Sequence, residues 1–320
     1  MKNHIIVPLD NSALSAAALP YAELLARALQ AEIILVTAVE PRTHPHEATM
    51  AQIEQALLAA EATLDGERCL LQAGGIVARA LADVADPATL IVDVARQNSP
   101  ALIVMATHGR SGPSRWIMGS VAEQVLRRAH CPMLLLNPAA IAETRPIVLR
   151  HPVLVPHDGS EISEQVLTTL KPIVAALQIP VHLLHAVDPA AFYTIVGLAP
   201  YNLPTQDAVN DAMKAAERQF LEVAQNWRKA GLDVDASVGL DGPRHLIVKT
   251  SQEGGVGWIA MGSHGRGGIS GLVLGSTALA VMRHVSLPVL IVPATAGHYA
   301  EKHAADSTGE DPISFIAPIA

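Results

Sequence analysis

Two glycine-rich segments of the chain have the composition of phosphate-binding loops. One reads MATHGRSGPSRWIMGS at 105–120, and the other reads MGSHGRGGISGLVLGS at 261–276. Each follows an apolar run typical of a strand and precedes a helical pattern. Glycine lets the main chain approach a ligand closely, and exposed N–H groups ahead of a helix attract phosphate oxygens. The segments therefore predict an anion site at the start of a helix.

A single segment of this kind has a simpler interpretation, because glycines also serve a tight strand-to-helix connection. Its recurrence in register favours phosphate binding, since Gly119 matches Gly275 and Pro132 matches Pro288, each 156 positions on. The sequence contains no G-x-x-x-x-G-K-[ST], G-x-G-x-x-G or G-x-S-x-G motif. These absences disfavour a P-loop NTPase, a Rossmann dehydrogenase and an α/β-hydrolase.

Charged and polar side chains inside the two segments are candidate phosphate contacts. His108 and His264 precede loop glycines and are either ordinary polar loop residues or groups that touch a phosphate. Arg110 and Arg266 are either solvated or charge partners for phosphate. The sequence alone leaves both pairs of alternatives open.

Two serines at the ends of the segments are candidates for a double role. Ser276 could cap the following helix and also donate its hydroxyl to a phosphate. In the first segment Ser120 begins the run SVAE, which fits a capping box because a glutamate follows three residues later. Both serines are therefore predicted to lie at helix N-termini.

A second repeated element is a proline–aspartate turn. IIVPLDNS at 5–12 matches VLVPHDGS at 153–160, which places Asp10 and Asp158 after two apolar runs. An aspartate there either accepts main-chain N–H bonds at a helix start or contacts a ligand. Because the turns and the glycine-rich segments all follow strands, we expect them to converge on one crevice in each half.

The two repeats indicate a domain duplication. The turns are 148 positions apart and the glycine-rich segments 156, so the second copy carries eight extra residues, which we place around 188–205 and interpret as a lid over the second crevice. We predict domains at 1–140 and 147–294, joined by a linker at 137–150. The tail at 295–320 is expected to be disordered, with docking of its apolar end as the alternative.

Alternating strand and helix patterns predict a parallel sheet with helices on both faces. In the first copy we place the strands at 5–9, 33–39, 76–84, 101–106 and 133–136. Helices are expected at 12–30, 48–71, 86–97 and 120–129, the third opening on Asp86 as N-cap with Pro87 behind it. The second copy repeats this order.

Composition narrows the class of protein. The chain has 320 residues, half of them hydrophobic but only 3% aromatic, which suits strands buried on both faces. A net charge of −8 argues against a nucleic-acid binder. Two cysteines cannot form a disulfide framework, and no apolar run is long enough for a membrane span, so we expect a cytoplasmic protein that contacts neither membrane nor nucleic acid.

On these motifs the chain resembles the tandem-domain universal stress proteins of the ATP-binding type. Those proteins share a motif of glycine, two residues, glycine, nine residues, glycine, then serine or threonine. The second copy matches it completely, at Gly262, Gly265, Gly275 and Ser276. The first copy matches at Gly109, Gly119 and Ser120 but has Ala106 in place of the first glycine.

The resemblance implies two tandem Rossmann-like domains of the adenine nucleotide alpha hydrolase-like type. Each would be a five-stranded parallel sheet of order 3-2-1-4-5 with helices on both faces. It also implies that the last strands, 133–136 and 289–292, pair across a pseudo-twofold axis within the chain, and it leaves a homodimer of such chains open. The implied ligand is ATP, with or without Mg²⁺, and no catalytic or metal-ligating residue is assigned.

By the same resemblance, nineteen residues are implied to contact the nucleotide. In the second half they are Pro156, Asp158, Ala186, Met261, Gly262, Gly265, Arg266, Gly275, Ser276 and Thr277. In the first half they are Pro8, Asp10, Ala38, Met105, Gly109, Arg110, Gly119, Ser120 and Val121. Because an alanine methyl would crowd a main chain that needs a positive φ, Ala106 ranks the first site below the second.

Three functions remain open at this point. The leading one is a stress-response protein that binds ATP in one or both domains, where the nucleotide biases conformation or partner choice, with slow hydrolysis at most. The second is an interaction scaffold whose crevices hold another ligand or none. The third is an ATPase or AMP-forming transferase, which the absence of a phosphate-loop lysine or a paired acid–base constellation disfavours.

Overall fold

Strands and helices alternate along the first half of the chain in the computed structural model. The strands are β1 (His4–Pro8), β2 (Glu32–Val39), β3 (Ala78–Val84), β4 (Ala101–Ala106) and β5 (Met133–Leu136). The α-helices are α1 (Ala13–Ala16), α2 (Leu19–Leu29), α3 (Met50–Ala73), α4 (Pro87–Gln97), α5 (Ser120–Arg128) and α6 (Pro138–Glu143). A 3-10 helix (Pro146–Arg150) then leads into the second half.

The second half repeats this alternation. Its strands are β6 (Val153–Pro156), β7 (Val181–Val187), β8 (Val234–Leu240), β9 (Trp258–Gly262) and β10 (Val289–Val292). Its helices are α7 (Glu161–Leu177), α8 (Gln206–Lys229), α9 (Pro243–Gln252) and α10 (Ser276–His284).

The structure describes residues 3–40, 50–108, 118–188, 206–264 and 274–294. Some predictions fall outside these ranges. They are the loop residues Gly109, Arg110, Gly265 and Arg266, the proposed lid beyond residue 188, and the tail at 295–320.

The ten strands in the described ranges form one sheet, in the order β3-β2-β1-β4-β5-β10-β9-β6-β7-β8. Pairing within each half is parallel, and the order 3-2-1-4-5 is confirmed in both. At the centre β5 and β10 pair antiparallel, with Leu134 opposite Leu290. The predicted pairing of the last strands within one chain is therefore present.

Each face of the sheet carries its own aliphatic core, because successive strand residues point to opposite faces. In β1, Ile5 and Val7 pack with α2 and α3, whereas Ile6 packs with α4 and α5. The same division holds in the second half, where α7 and α8 cover one face and α9 and α10 the other. Because the strands within each half run parallel, their carboxyl ends all lie at one edge of the sheet.

The predicted linker at 137–150 is packed structure, since it contains α6 and the 3-10 helix and buries Leu149 completely. Asn137 joins the halves, because its side-chain amide donates to the carbonyl oxygens of Met282 (3.2 Å) and Val285 (2.8 Å). The Tyr21 hydroxyl donates to Thr144, which fixes the far end of the same segment.

Helix boundaries follow local chemistry with one departure. The predicted cap at Asp86 is confirmed, because its carboxylate accepts the Thr89 N–H at 2.8 Å. The single helix predicted over 12–30 is instead divided into α1 and α2. Pro20 lies at the start of α2 and has no N–H to continue the hydrogen bonding of α1, which explains the break.

Candidate functional site

The candidate crevices lie where the strand order reverses. In the first half β1 pairs with β2 on one side and β4 on the other, and in the second half β6 pairs with β7 and β9. The chain after β1 and after β4 therefore leaves the sheet in opposite directions at its carboxyl edge. In parallel α/β sheets this is where ligands bind.

The aspartate turn has the same conformation in both halves. It passes through one left-handed residue, Asn11 (φ 63°) in the first half and Gly159 (φ 74°) in the second, and these two residue types tolerate that region best. Asp10 accepts the N–H of Ser12 at 3.0 Å. The corresponding bond joins Asp158 to the Ser160 N–H, also at 3.0 Å.

Each aspartate therefore accepts a main-chain N–H at a helix start, which was one of the two roles considered for it from the sequence. Ser12 and Ser160 in turn cap α1 and α7. A carboxylate can accept about four hydrogen bonds, so a role in the turn does not exclude a ligand contact. Both Asp10 and Asp158 are half-buried at the crevice edge.

In the second half, α10 begins directly after a glycine. Gly275 is the N-cap, and its N–H donates to the carbonyl oxygen of Ser263 at 2.8 Å. The first intrahelical bond runs from the Leu279 N–H to the Gly275 carbonyl at 3.0 Å. The main-chain amides of residues 276–278 therefore precede the hydrogen-bonded part of the helix and are available to an anion.

The first half repeats this arrangement at α5. Gly119 is the N-cap and donates to the Thr107 carbonyl at 2.8 Å, and the first intrahelical bond joins Glu123 to Gly119 at 2.9 Å. The amides of residues 120–122 are left in the same position. Two helix N-termini with matching geometry thus lie at matching crevices.

The predicted serine caps are wrong by one residue. Ser120 and Ser276 are the first residues inside their helices, so Ser120 and Glu123 do not form a capping box. Both serines are exposed, and neither hydroxyl has a hydrogen-bond partner within the described parts of the chain. The next residues, Val121 and Thr277, are half-buried.

The other predicted contacts divide into edge and core positions. Pro8 and Pro156 end β1 and β6, and Ala38 and Ala186 are half-buried near the ends of β2 and β7. The side chains at Met105 and Met261 are instead buried in the hydrophobic core beneath α5 and α10, at 5% and 6% exposure.

Ala106 does not carry the backbone conflict that the sequence predicts. Its counterpart Gly262 has no positive φ, so the strand backbone accepts an alanine. What a β-carbon at Gly262 would meet is the Cγ2 methyl of Ile162, together with the His264 carbonyl oxygen at 3.0 Å. In the first half the residue matching Ile162 is Leu14, which has no methyl branch at that carbon. The two halves therefore carry different pairs of residues at these matching positions.

The histidines before the loops are held identically. His108 Nδ1 is 3.0 Å from the Thr107 hydroxyl, and His264 Nδ1 is 3.1 Å from the Ser263 hydroxyl. The Nε2 atoms of both rings are buried without a hydrogen-bond partner in the described structure. An unsatisfied buried ring nitrogen is costly, so these atoms are suited to meet a polar ligand group.

Sequence reasoning missed a buried histidine beside Asp158. The His157 side chain is 2% exposed, and its Nε2 lies 2.9 Å from Glu164 Oε1. Burial, opposed by Glu164, lowers the pKa of His157 below its ordinary value. Alignment of the repeats could have revealed it, because Leu9 occupies the same position in the first half.

Among the described residues there is no group of three or more His, Cys, Asp or Glu side chains that could hold a metal ion. Likewise, none of the helices described is long and apolar enough to cross a membrane.

The sequence model of the universal stress protein family matches residues 1–137 and 150–293. A universal stress protein of Mycobacterium tuberculosis H37Rv is 28% identical over 209 residues, which cover 64% of this chain and 65% of that protein. A second from the same strain is 26% identical over 210 residues, covering 64% and 66%. The chain thus spans about two thirds of the length of these relatives.

Solved structures show the same fold. A universal stress protein from Archaeoglobus fulgidus superimposes with a TM-score of 0.68 at 22% identity, covering 91% of this chain and 98% of that one. A protein from Pseudomonas aeruginosa described as a universal stress protein gives 0.64 at 18% identity, covering 94% and 97%.

Proposed function

The chain belongs to the universal stress protein family, and from that premise we propose that each half binds one ATP molecule. The nucleotide acts as a ligand that biases conformation or partner choice in a cytoplasmic stress response. One observation carries the proposal: each crevice presents three main-chain amides of a helix N-terminus behind a glycine N-cap.

The phosphate end of the nucleotide fits this N-terminus. The amides of residues 276–278 and the unpartnered Ser276 hydroxyl offer donors to phosphate oxygens, and so do residues 120–122 with Ser120. The buried Nε2 atoms of His108 and His264 offer a further polar contact next to each N-cap. We assign Gly265 and Gly109 to the same phosphate groups on the family motif, and Arg266 and Arg110 to them as charge partners.

The nucleoside end would lie over the first two strands of each half. The half-buried Asp10 and Asp158 have acceptor capacity for ribose hydroxyls, and the small Ala38 and Ala186 leave room for a flat base. The main chain beside Met105 and Met261 could still line the crevice, although their side chains belong to the core.

Hydrolysis is expected to be slow at most. Phosphoryl transfer needs a positioned nucleophile, charge neutralisation and usually a metal ion held by the protein. The described residues offer no cluster of metal ligands, so a Mg²⁺ ion would be held mainly by the phosphates of the nucleotide it accompanies.

Calorimetric titration with ATP tests the proposal through Ser276→Ala. Since Ser276 caps nothing, its loss should leave the melting temperature unchanged while weakening binding in the second half about tenfold, the value of one hydrogen bond to a charged group. The matched control is Ser251→Ala, which removes a helical hydroxyl bonded only to its own helix, at the Val248 carbonyl. Equal affinities for both variants and the wild type would contradict this phosphate site.

A further inference from the structure

We propose that His157 is a positioning residue for Asp158, and that full nucleotide affinity in the second half requires the His157 ring to be neutral. The inference rests on the proposed function, because Asp158 is assigned to the ribose. Protonation of His157 would lower the nucleotide affinity of the second crevice. The first crevice has no histidine at the matching position, so its affinity would not change in this way.

The hydrogen bonds of the ring define its tautomer. The Gly159 N–H donates to His157 Nδ1 at 3.2 Å, so this nitrogen is an acceptor and carries no proton. The other nitrogen, Nε2, then carries the proton and donates it to Glu164 at 2.9 Å. A neutral ring thus bridges the turn on one side and α7 on the other.

The ring lies beneath the turn that carries Asp158. Asp158 stands between the two residues that this bond joins, and Gly159 supplies the left-handed conformation that the turn needs. The Asp158 carboxylate then accepts the Ser160 N–H just beyond. The bond between ring and amide therefore fixes the direction in which Asp158 leaves the sheet.

Side chains from α7, β7, α8 and the turn enclose the ring. The titratable groups that face it are Glu164 from α7, Asp158 from the turn and His185 from β7, whose Nδ1–H donates to the His157 carbonyl at 2.7 Å. From α8, Phe220 contacts both imidazoles, with ring centroids 5.6 and 5.5 Å away. The ring consequently has little room to rotate when its charge changes.

Protonation at Nδ1 would replace an acceptor by a donor facing the Gly159 N–H. The bond to the turn is then lost, and two N–H groups oppose each other at hydrogen-bond distance. Since the enclosed ring cannot turn away, the main chain at Gly159 must move and Asp158 moves with it. Glu164, which is 55% exposed on its side chain, stabilises the charged ring without holding the turn.

In the first half, neither the His157 ring nor the side chains that reach it from α7, β7 and α8 are present. Leu9 replaces His157, Ala16 replaces Glu164, and Thr37 replaces His185. Leu64 stands where Phe220 does, and it is buried to the same extent in an apolar core. The histidines near the phosphate site, His108 and His264, occur in both halves and cannot create a difference between them.

The test compares ATP affinity at about pH 7.5 and about pH 5.5 in the full chain. In His157→Asn the amide oxygen can accept the Gly159 N–H but cannot titrate in this range. His157→Leu introduces the residue of the first half. ATP also binds protons in this interval, but that contribution is common to all three proteins and cancels in the comparison.

We expect the affinity of the wild-type second half to fall about tenfold more than that of either variant on acidification, as for the loss of one positioned hydrogen bond. An equal decline in wild type and His157→Asn overturns the inference and leaves the proposed function intact. Absence of ATP binding at about pH 7.5 in the wild type overturns the proposed function and this inference with it.

A second measurement does not depend on nucleotide. In NMR spectra of the full chain, the Gly159 amide resonance should shift with the titration of the His157 ring, and this shift should vanish in His157→Asn. A Gly159 resonance that stays constant while His157 titrates would overturn the proposed coupling.

Discussion

The first strand of each half is followed by a residue whose carbonyl oxygen accepts a side-chain hydrogen bond. In the first half, the Leu9 carbonyl oxygen accepts from the Thr37 hydroxyl at 2.8 Å. In the second half, the His157 carbonyl oxygen accepts from the His185 ring at 2.7 Å. The amides of Leu9 and His157 also donate to equivalent carbonyls of the neighbouring strand. Duplication has therefore preserved the main-chain bonds while the side chains that complete them have changed. The fold constrains which group is donor or acceptor at a position more tightly than it constrains residue type.

The glycine motif also differs in residue type between the two halves, at the end of the fourth strand of each. Ala106 and Leu14 stand at the positions of Gly262 and Ile162, so we infer that the alanine accompanies a change of its packing neighbour. A motif mismatch of this kind is informative only together with the residue that packs against it.

The largest difference between the halves should come from the N-cap glycines. A β-carbon at Gly119 would lie 2.7 Å from the Thr107 carbonyl oxygen, whereas at Gly275 the closest atoms are 3.4 Å away. Gly119→Ala should therefore lower the free energy of unfolding by about 2 kcal/mol, and Gly275→Ala by less than about 1 kcal/mol. Urea denaturation followed by circular dichroism measures both, and equal losses would contradict the asymmetry.

A double-mutant cycle measures the interaction between positions 262 and 162 at the end of β9. Gly262→Ala should destabilise the second half by about 1–2 kcal/mol through overlap with the Ile162 methyl. Adding Ile162→Leu removes that methyl branch, reproduces the pair found in the first half and should restore most of the loss. Denaturation followed by tryptophan fluorescence, to which the buried Trp258 contributes, gives the coupling free energy. Strict additivity of the two changes would show that the two positions do not share space.

The smallest expected difference in stability between the halves concerns the N-caps of α4 and α9. Asp86 caps α4, while its counterpart before α9 is Gly242, which makes no side-chain bond. Asp86→Ala should lower the free energy of unfolding by about 1 kcal/mol, and Gly242→Ala by roughly half as much, since glycine is a weaker cap than aspartate but a better one than alanine.

This cap also gives a pH dependence. Hydrogen bonds from Thr89 lower the pKa of Asp86, so the carboxylate stabilises the folded state above its ordinary pKa, and that contribution is lost as the pH falls through the lowered pKa. The stability difference between wild type and Asp86→Ala should accordingly shrink below about pH 4 in thermal melts. A difference that stays constant into acid would refute the assigned cap.

Sequence patterns predicted the elements that depend on local chemistry. The Asp86 cap, the strands and their alternation follow from residue type and spacing, and the strand order followed from the resemblance. The capping position at α5 was missed by one residue, because a glycine bonded through its own main chain to Thr107 leaves no side-chain signal. The Ile162 methyl and the enclosure of His157 involve residues far apart in sequence, and only tertiary packing brings them together.

We propose ATP binding in both crevices, although only the second carries the complete glycine motif. Isothermal titration of the full-length wild-type chain with ATP is the decisive experiment, because the stoichiometry counts the occupied crevices. We expect two molecules of ATP per chain. A stoichiometry of one or none would refute ATP binding in both crevices.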